Sequence, residues 1–320
     1  MNLLVAFLLL PTVSTFSIVG YDSKTHEWGV AVASRYFSVG SVVPWAEAGV
    51  GAVVTQANVN VGYGPRAIEL LKQGLTAKQV VEKLLAEDTF DGKDGRQIGI
   101  IDAKGNVAGY TGPKAPTWAG DVQGPTWTAQ GNILVGPEVP RAMGRAFDAT
   151  SGDLPEKLYA ALKAGDDAGG DSRGRQSASM LVVGKGRGRN FNNDRPVYIN
   201  VDDNPQPLPE LRRLLDLNMA ALYQDRTFKL VTDGKLREAR ETAARLVTYT
   251  PAQSGAYVTL GMLSYATGDK PAALAAFQKA SQLNPDFRKQ FDAVARRPAY
   301  QAILEDKEFL DKLFPPTAKP

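Results

Sequence analysis

Apolar and polar residues change their spacing several times along the chain. From Thr15 to Tyr21 they alternate, Phe16, Ile18 and Gly20 against Ser17, Val19 and Tyr21, which is the period of a strand. A polar turn over Asp22–Glu27 leads into Trp28–Ser34, whose small residues predict a strand buried on both faces. Val39–Val43 and Val50–Gln56 read as a further strand pair joined through Pro44–Gly49. The period then lengthens. Pro65 suits a first helical turn, Ile68, Leu70 and Leu71 supply an apolar face, and Gly74 ends the helix. Thr76-Ala-Lys-Gln79 is a capping box that opens a second helix running to about Glu87. Strands return at Gln97–Asp102 and Asn106–Tyr110, either side of a hairpin turn, and again at Trp127–Leu134 after a loop over Thr111–Thr126. Helices are predicted over about Pro137–Thr150 and Leu154–Ala164, then strands over Ser177–Val183 and Pro196–Val201. Strands in hairpins with helices inserted in pairs predict an α+β fold, antiparallel sheets covered by helix layers, rather than alternating βαβ units.

From Leu208 onward the strand signal vanishes and an internal repeat takes over. Gly234 and Gly268, Ala239 and Ala273, Ala243 and Phe277, and Pro251 and Pro285 are each 34 residues apart, the period of the tetratricopeptide repeat. In the second copy Tyr257, Leu260, Gly261, Ala273, Phe277, Ala280 and Pro285 occupy that repeat's packing positions. The helix Leu208–Leu222 and the tail Tyr300–Leu313 are expected to cap the array. The Pro-rich stretch Asn204–Pro209 reads as an extended hinge. The expected organisation is therefore a removable segment over 1–14, a sandwich domain over 15–204 and a helical domain over 208–320.

Composition narrows the chemistry. The net charge is only +3, so the balance of charge gives no argument for a nucleic-acid partner. Lys185-Gly-Arg-Gly-Arg189 lacks the interleaved aromatics of a nucleic-acid surface. Gly62-Tyr-Gly-Pro-Arg66 lacks the lysine of a phosphate-binding loop. Asp166-Asp167 and Asp202-Asp203 could ligate a hard cation but read better as solvated loop carboxylates, and no metal or cofactor is expected. There is no cysteine, which removes thiol chemistry, and the one histidine, His26, lies in a turn. Catalysis, if present, is expected to proceed without histidine.

The run Leu3–Leu10 is too short to span a bilayer and is followed by Pro11, Thr12 and Ser14, the form of a signal peptide without its basic front end. Cleavage between Ser14 and Thr15 is expected, giving an exported mature protein with no membrane segment; the competing readings are an uncleaved membrane tether, a buried N-terminal strand or, with a mis-assigned start, a cytoplasmic chain. The mature chain would begin with a threonine whose own α-amine serves as base for its hydroxyl. Two other stretches suit such a site. Gly170–Ser177 offers Asp171, two arginines and Ser177 to orient an amine or bind an anion; Asp171 paired with Arg173 or Arg175 to stabilise a turn is the competing reading. Gln130-Gly-Asn132 offers amides and open backbone N–H groups for an oxyanion, or merely a self-satisfied strand end.

Thr15-Phe-Ser-Ile18, Gly29–Ser34, Val43-Pro-Trp-Ala46, Gly49-Val-Gly51, Thr55-Gln56, Tyr63-Gly-Pro65, Gln130-Gly-Asn132, Gly170-Asp171, Arg173-Gly174 and Gln176-Ser177 together resemble the bacterial family catalogued as domain of unknown function 1028, from Thr15 to about Asp203. That family is similar in fold to the N-terminal-nucleophile (Ntn) hydrolases, which implies a four-layer αββα sandwich and a catalytic Thr15. The resemblance also casts Asp171 and Ser177 as the pair supporting the terminal amine, with Asn132 beside the oxyanion. Proteasome-like relatives add a lysine beside the nucleophile, whereas Val42–Val50 contains Glu47 and neither Lys nor Arg; Ser34-Arg35 stands where they carry an aspartate. Two functions follow: an Ntn-type hydrolase of an amide or peptide-like substrate, with a protein partner docked on the repeats, or a non-catalytic binding or scaffold protein on the same fold.

Overall fold

A computed structural model describes residues 15–315; the run Leu3–Leu10 and the expected cut after Ser14 lie outside the described residues. The chain divides into two compact units, with the division between Leu215 and Asp216.

The first unit carries ten strands and four helices, followed by the start of a long fifth helix: β1 (Thr15–Asp22), β2 (Glu27–Ser34), β3 (Pro44–Glu47), β4 (Gly51–Ala57), α1 (Tyr63–Lys72), α2 (Ala77–Glu87), β5 (Arg96–Asp102), β6 (Val107–Thr111), β7 (Gly120–Gln123), β8 (Trp127–Asn132), α3 (Glu138–Ala149), α4 (Leu154–Asp167), β9 (Ser177–Val183), β10 (Val197–Val201) and α5 (Pro207–Thr232). They build a six-stranded sheet in the order β10-β9-β2-β1-β8-β7 and a four-stranded sheet in the order β3-β4-β5-β6. Neighbouring strands run antiparallel throughout.

The alternation along each strand decides the layers. Val19, Val30, Val32 and Leu181 of the larger sheet meet Ala52, Val54 and Ile101 of the smaller one. On the outside of the smaller sheet Val53, Ile98 and Ile100 are covered by Leu70, Val80 and Leu84 of α1 and α2. The outside of the larger sheet packs on α3 and α4. Gly20 and Gly29 admit this approach: a Cβ on Gly29 would lie 2.5 Å from Leu158 Cδ1, and one on Gly20 2.8 Å from Phe147 Cε2. The result is a four-layer αββα sandwich, as expected.

Two local expectations fail. Val39–Val43 is not a strand. Ser38 adopts φ 55°, and the N–H groups of Ser41, Val42 and Val43 turn back onto Ser38 and Val39 carbonyls, closing a 3₁₀ turn over Val39–Ser41. The strand lies in the supposed connector, where Pro44 can start β3 because an edge strand tolerates a missing N–H. Pro207–Pro209 is not extended either, since α5 begins at Pro207; prolines in the first turn forfeit only N–H groups that have no helical partner. The loop over Thr111–Thr126 also hides the short, half-exposed β7.

The second unit continues α5 from Asp216 and adds α6 (Leu236–Tyr249), α7 (Ser254–Ala266), α8 (Lys270–Leu283), α9 (Phe287–Ala295), α10 (Ala302–Glu305) and α11 (Lys307–Leu313). Ala239, Ala243, Ala273 and Phe277, paired by the 34-residue spacing, are fully buried in one core together with Ala280. Gly261 shows why small residues recur there, since a Cβ would lie 2.5 Å from the Phe277 ring. A groove of about 730 Å³ runs over this unit, lined by Phe228, Thr259, Gln290, Arg297 and Tyr300 among others. Among the described residues no helix is long and apolar enough to cross a membrane.

Candidate functional site

Strand β1 begins at Thr15 and is hydrogen-bonded on both sides. Its register sets Thr15 opposite Ser34 on β2 and opposite Asn132 on β8, and Ser34 in turn lies opposite Ser177 on β9. Asn132, Thr15, Ser34 and Ser177 therefore form one row across four adjacent strands, pointing between the sheets like Val19 and Val30 further along. All four are buried. Three of the four predicted site residues are thus brought together, and Ser34 completes the row.

The Thr15 Oγ1 lies 3.1 Å from Ser34 Oγ. Ser177 belongs to the row but spends its hydroxyl on the loop that follows β2, donating to the Tyr36 carbonyl at 2.5 Å and accepting from the Val39 N–H at 3.2 Å. Asp171 closes the edge of this end. Its carboxylate accepts the Arg35 N–H and the Arg173 N–H, each at 2.8 Å, and is gripped by the Arg173 guanidinium at 3.1 and 3.3 Å. The Asp171–Arg173 pair is the one that forms, while Arg175 pairs with Asp166. Asp171 acts on the row through the backbone that follows Ser34. His26 sits in the β1–β2 turn at the opposite end of the strands, its Nδ1 3.1 Å from the Tyr21 hydroxyl.

Behind the row the space between the sheets is polar, unlike its valine-lined far end. The Ser17 hydroxyl donates to Gln56 Oε1 at 2.6 Å and accepts from Gln130 Nε2 at 2.7 Å. Gln56 Nε2 bonds to the Thr15 carbonyl at 3.3 Å and to Gln97 Oε1 at 2.8 Å. Asn132 Nδ2 donates to the same Gln97 oxygen at 3.2 Å. Ser17, Gln56, Gln97 and Gln130 are all buried. Ser17, Ser34, Gln56 and Gln97 are not among the site residues predicted from the sequence. The alternation carried a signal for Ser17, a polar residue with the same inward parity as Val19.

On the outer side of the same end, Arg96 donates to the Asp88 carboxylate at 2.9 Å and Tyr63 donates to it at 2.5 Å. Burial pushes the Asp88 carboxyl upward, but the bonds from Arg96, Tyr63 and the Phe90 N–H outweigh it and hold the group down at about 2. Burial, and then the bond to Asp88, raises the Tyr63 phenol. Among the described residues no cluster of three or more His, Asp or Glu side chains is placed to hold a metal ion.

This end of the sandwich thus gathers a threonine hydroxyl at a strand start, a serine hydroxyl against it and a buried amide network. The chain matches the model of a family of unknown function, DUF1028, over residues 15–211, so the match begins at Thr15. Its structure is similar to that of SPO2555 from Silicibacter pomeroyi, a protein described as carrying the DUF1028 family model, at 30% identity and a TM-score of 0.57 over 63% of this chain and 84% of that one. A fainter likeness, at 13% identity and a TM-score of 0.29, links 62% of this chain with 92% of Anbu (ancestral β-subunit) from Yersinia bercovieri. No curated protein matches.

Proposed function

Because the chain belongs to the DUF1028 family of unknown function, a membership that assigns no chemistry, we propose from its own geometry that it is an N-terminal-threonine amide hydrolase. The observation that carries this reading is the contact of 3.1 Å between Thr15 Oγ1 and Ser34 Oγ in a buried polar row at the start of β1. The family match beginning at that same threonine supports it.

Removal of residues 1–14 would free the Thr15 α-amine beside its own hydroxyl. With a reference pKa of about 7.7–8.0, that amine is partly neutral near pH 7 and can accept the hydroxyl proton. The oxygen then attacks the amide carbonyl, and backbone N–H groups near Asn132 receive the developing oxyanion. The proton passes to the departing amine, leaving an ester on Thr15, and water hydrolyses that ester to restore the hydroxyl. Asp171 and Ser177 would hold the walls, through Arg35 and the Tyr36–Val39 loop, rather than exchange protons. The substrate class is an amide or peptide-like compound, and the setting is outside the cytoplasm, after export.

For the helical unit we propose a tetratricopeptide-like docking role towards a protein partner; the groove lined by Phe228 and Tyr300 and the 34-residue spacing support it. A non-catalytic binding protein on the same sandwich is the second reading. It is favoured by the complete burial of Thr15 and by the absence of a cation from the row Asn132–Thr15–Ser34–Ser177.

N-terminal sequencing of exported protein, followed by treatment with a β-lactone probe, tests the hydrolase. The expected result is a chain starting at Thr15 that is labelled on that residue, with labelling abolished in Thr15→Ala. A mature terminus elsewhere, or equal labelling of the variant, overturns it.

A further inference from the structure

We infer that Gln56 and Gln97 are positioning residues for Thr15, an inference that rests on the catalytic reading above. The orientation of both amides is fixed by their partners. Gln97 Nε2 faces the carbonyl oxygens of Gly131 at 2.9 Å and Gly120 at 3.2 Å, which can only accept, so its Oε1 is the atom shared by Gln56 Nε2 and Asn132 Nδ2. Gln56 Nε2 lies between two acceptors, Gln97 Oε1 and the Thr15 carbonyl, while its own Oε1 accepts from Ser17. One continuous line of amides thus runs from the β7–β8 backbone to the carbonyl of the first strand residue.

That line answers a problem created by processing. While the chain continues through Ser14, Thr15 is held covalently on both sides. Once the bond before Thr15 is cut, the residue becomes a chain terminus, and strand termini fray unless tied down. A nucleophile displaced by about 1 Å can lose about a hundredfold in rate. The Gln56 amide grips the Thr15 carbonyl, the side of the residue that survives the cut.

Stability alone does not account for the network. At the far end the same two sheets pack through Val19, Val54 and Ile101, so apolar contact between them was available. Buried polar groups cost desolvation that apolar replacements of like shape avoid, whereas their directional bonds fix geometry.

The test uses the full chain processed to Thr15, with Gln56→Met, Gln97→Met and Gln56→Glu compared with the wild type by rate of β-lactone labelling across pH. Folding is monitored by circular dichroism at each pH. Both methionine variants are expected to stay folded and to label at least about tenfold more slowly, by a factor constant across pH. Glu at position 56 faces two acceptor oxygens. Its carboxylate repels them, but its protonated form can donate to one, so its rate relative to the wild type is expected to rise as pH falls. That recovery is one a merely structural role would not produce, and it stands as a separate measurement should either methionine variant misfold. Wild-type labelling matched within about twofold by the variants that fold, with no acid recovery in Gln56→Glu, overturns this inference and leaves the catalytic reading standing. A wild type that carries a free Thr15 and does not label overturns both.

Discussion

At the scale of single residues the structure identifies groups whose role is to hold the fold. Asp88 is one of them. Its carboxyl is held at about 2, below the ordinary carboxylate value of 3.8, by Arg96 and Tyr63 against the cost of burial. A group whose folded pKa is depressed stabilises the fold fully above its unfolded value and loses that contribution as pH falls through the folded one. Stability is therefore expected to decline between about pH 4 and pH 2, and an acid titration followed by urea melts checks it: Asp88→Asn should flatten that part of the profile while lowering stability at pH 7, because Arg96 is left without its counter-charge. Thr15 was legible in the sequence because a threonine at an expected cleavage site needs no partner to be picked out as a candidate nucleophile. Its neighbours were not. Ser34 is 19 residues away and Gln97 farther still, and only strand register brings them to Thr15.

At the scale of elements, most strands and helices were legible because each keeps one period long enough to read. Val39–Val43 misled because its apolar run serves a turn: Val39 and Val43 are buried from the turn itself, and Ser38 supplies a left-handed kink that composition alone does not reveal. The order of the sheets was equally out of reach of a linear reading, since β1 lies between β2 and the distant β8. Close packing supplies a sharp check on the layer of α4 against β2. Gly29→Val would drive its side chain into Leu158, already 2.5 Å from an ideal Cβ, and the expected cost is about 1–3 kcal/mol by chemical denaturation. Unchanged stability would mean that α4 stands farther from the sheet than described.

At the scale of the whole molecule the boundary between units matters most for anyone cutting the chain. The Pro-rich stretch suggests a break after Asn204, yet Leu208, Leu211 and Leu215 are all buried within the first unit. Arg212 forks onto Glu156 at 2.7 and 3.1 Å and lies over the Tyr159 ring, whose hydroxyl bonds to the Leu208 carbonyl at 3.3 Å. A chain ending at Leu215 is expected to melt cooperatively. One ending at Asn204 forfeits three buried leucines, roughly 4–5 kcal/mol at 1.5 kcal/mol or more apiece, and should aggregate or melt far lower. Equal melting temperatures for the two would place the end of the first unit back at the prolines.

The alternation in β1 has a consequence for the proposed removal of residues 1–14. Thr15, Ser17 and Val19 face the space between the sheets, whereas a side chain on Gly20 would meet α3 and α4, and Phe16 shares its parity. The strand therefore works as a two-state reading frame: a cut one residue late leaves Phe16 in front, its ring turned to the helix layer and no hydroxyl at the opening. A cut two residues late restores the frame but offers Ser17, whose hydroxyl is already committed to Gln56 and Gln130. If the chain is trimmed as proposed, an overshoot of one or two residues past Thr15 would not be silent.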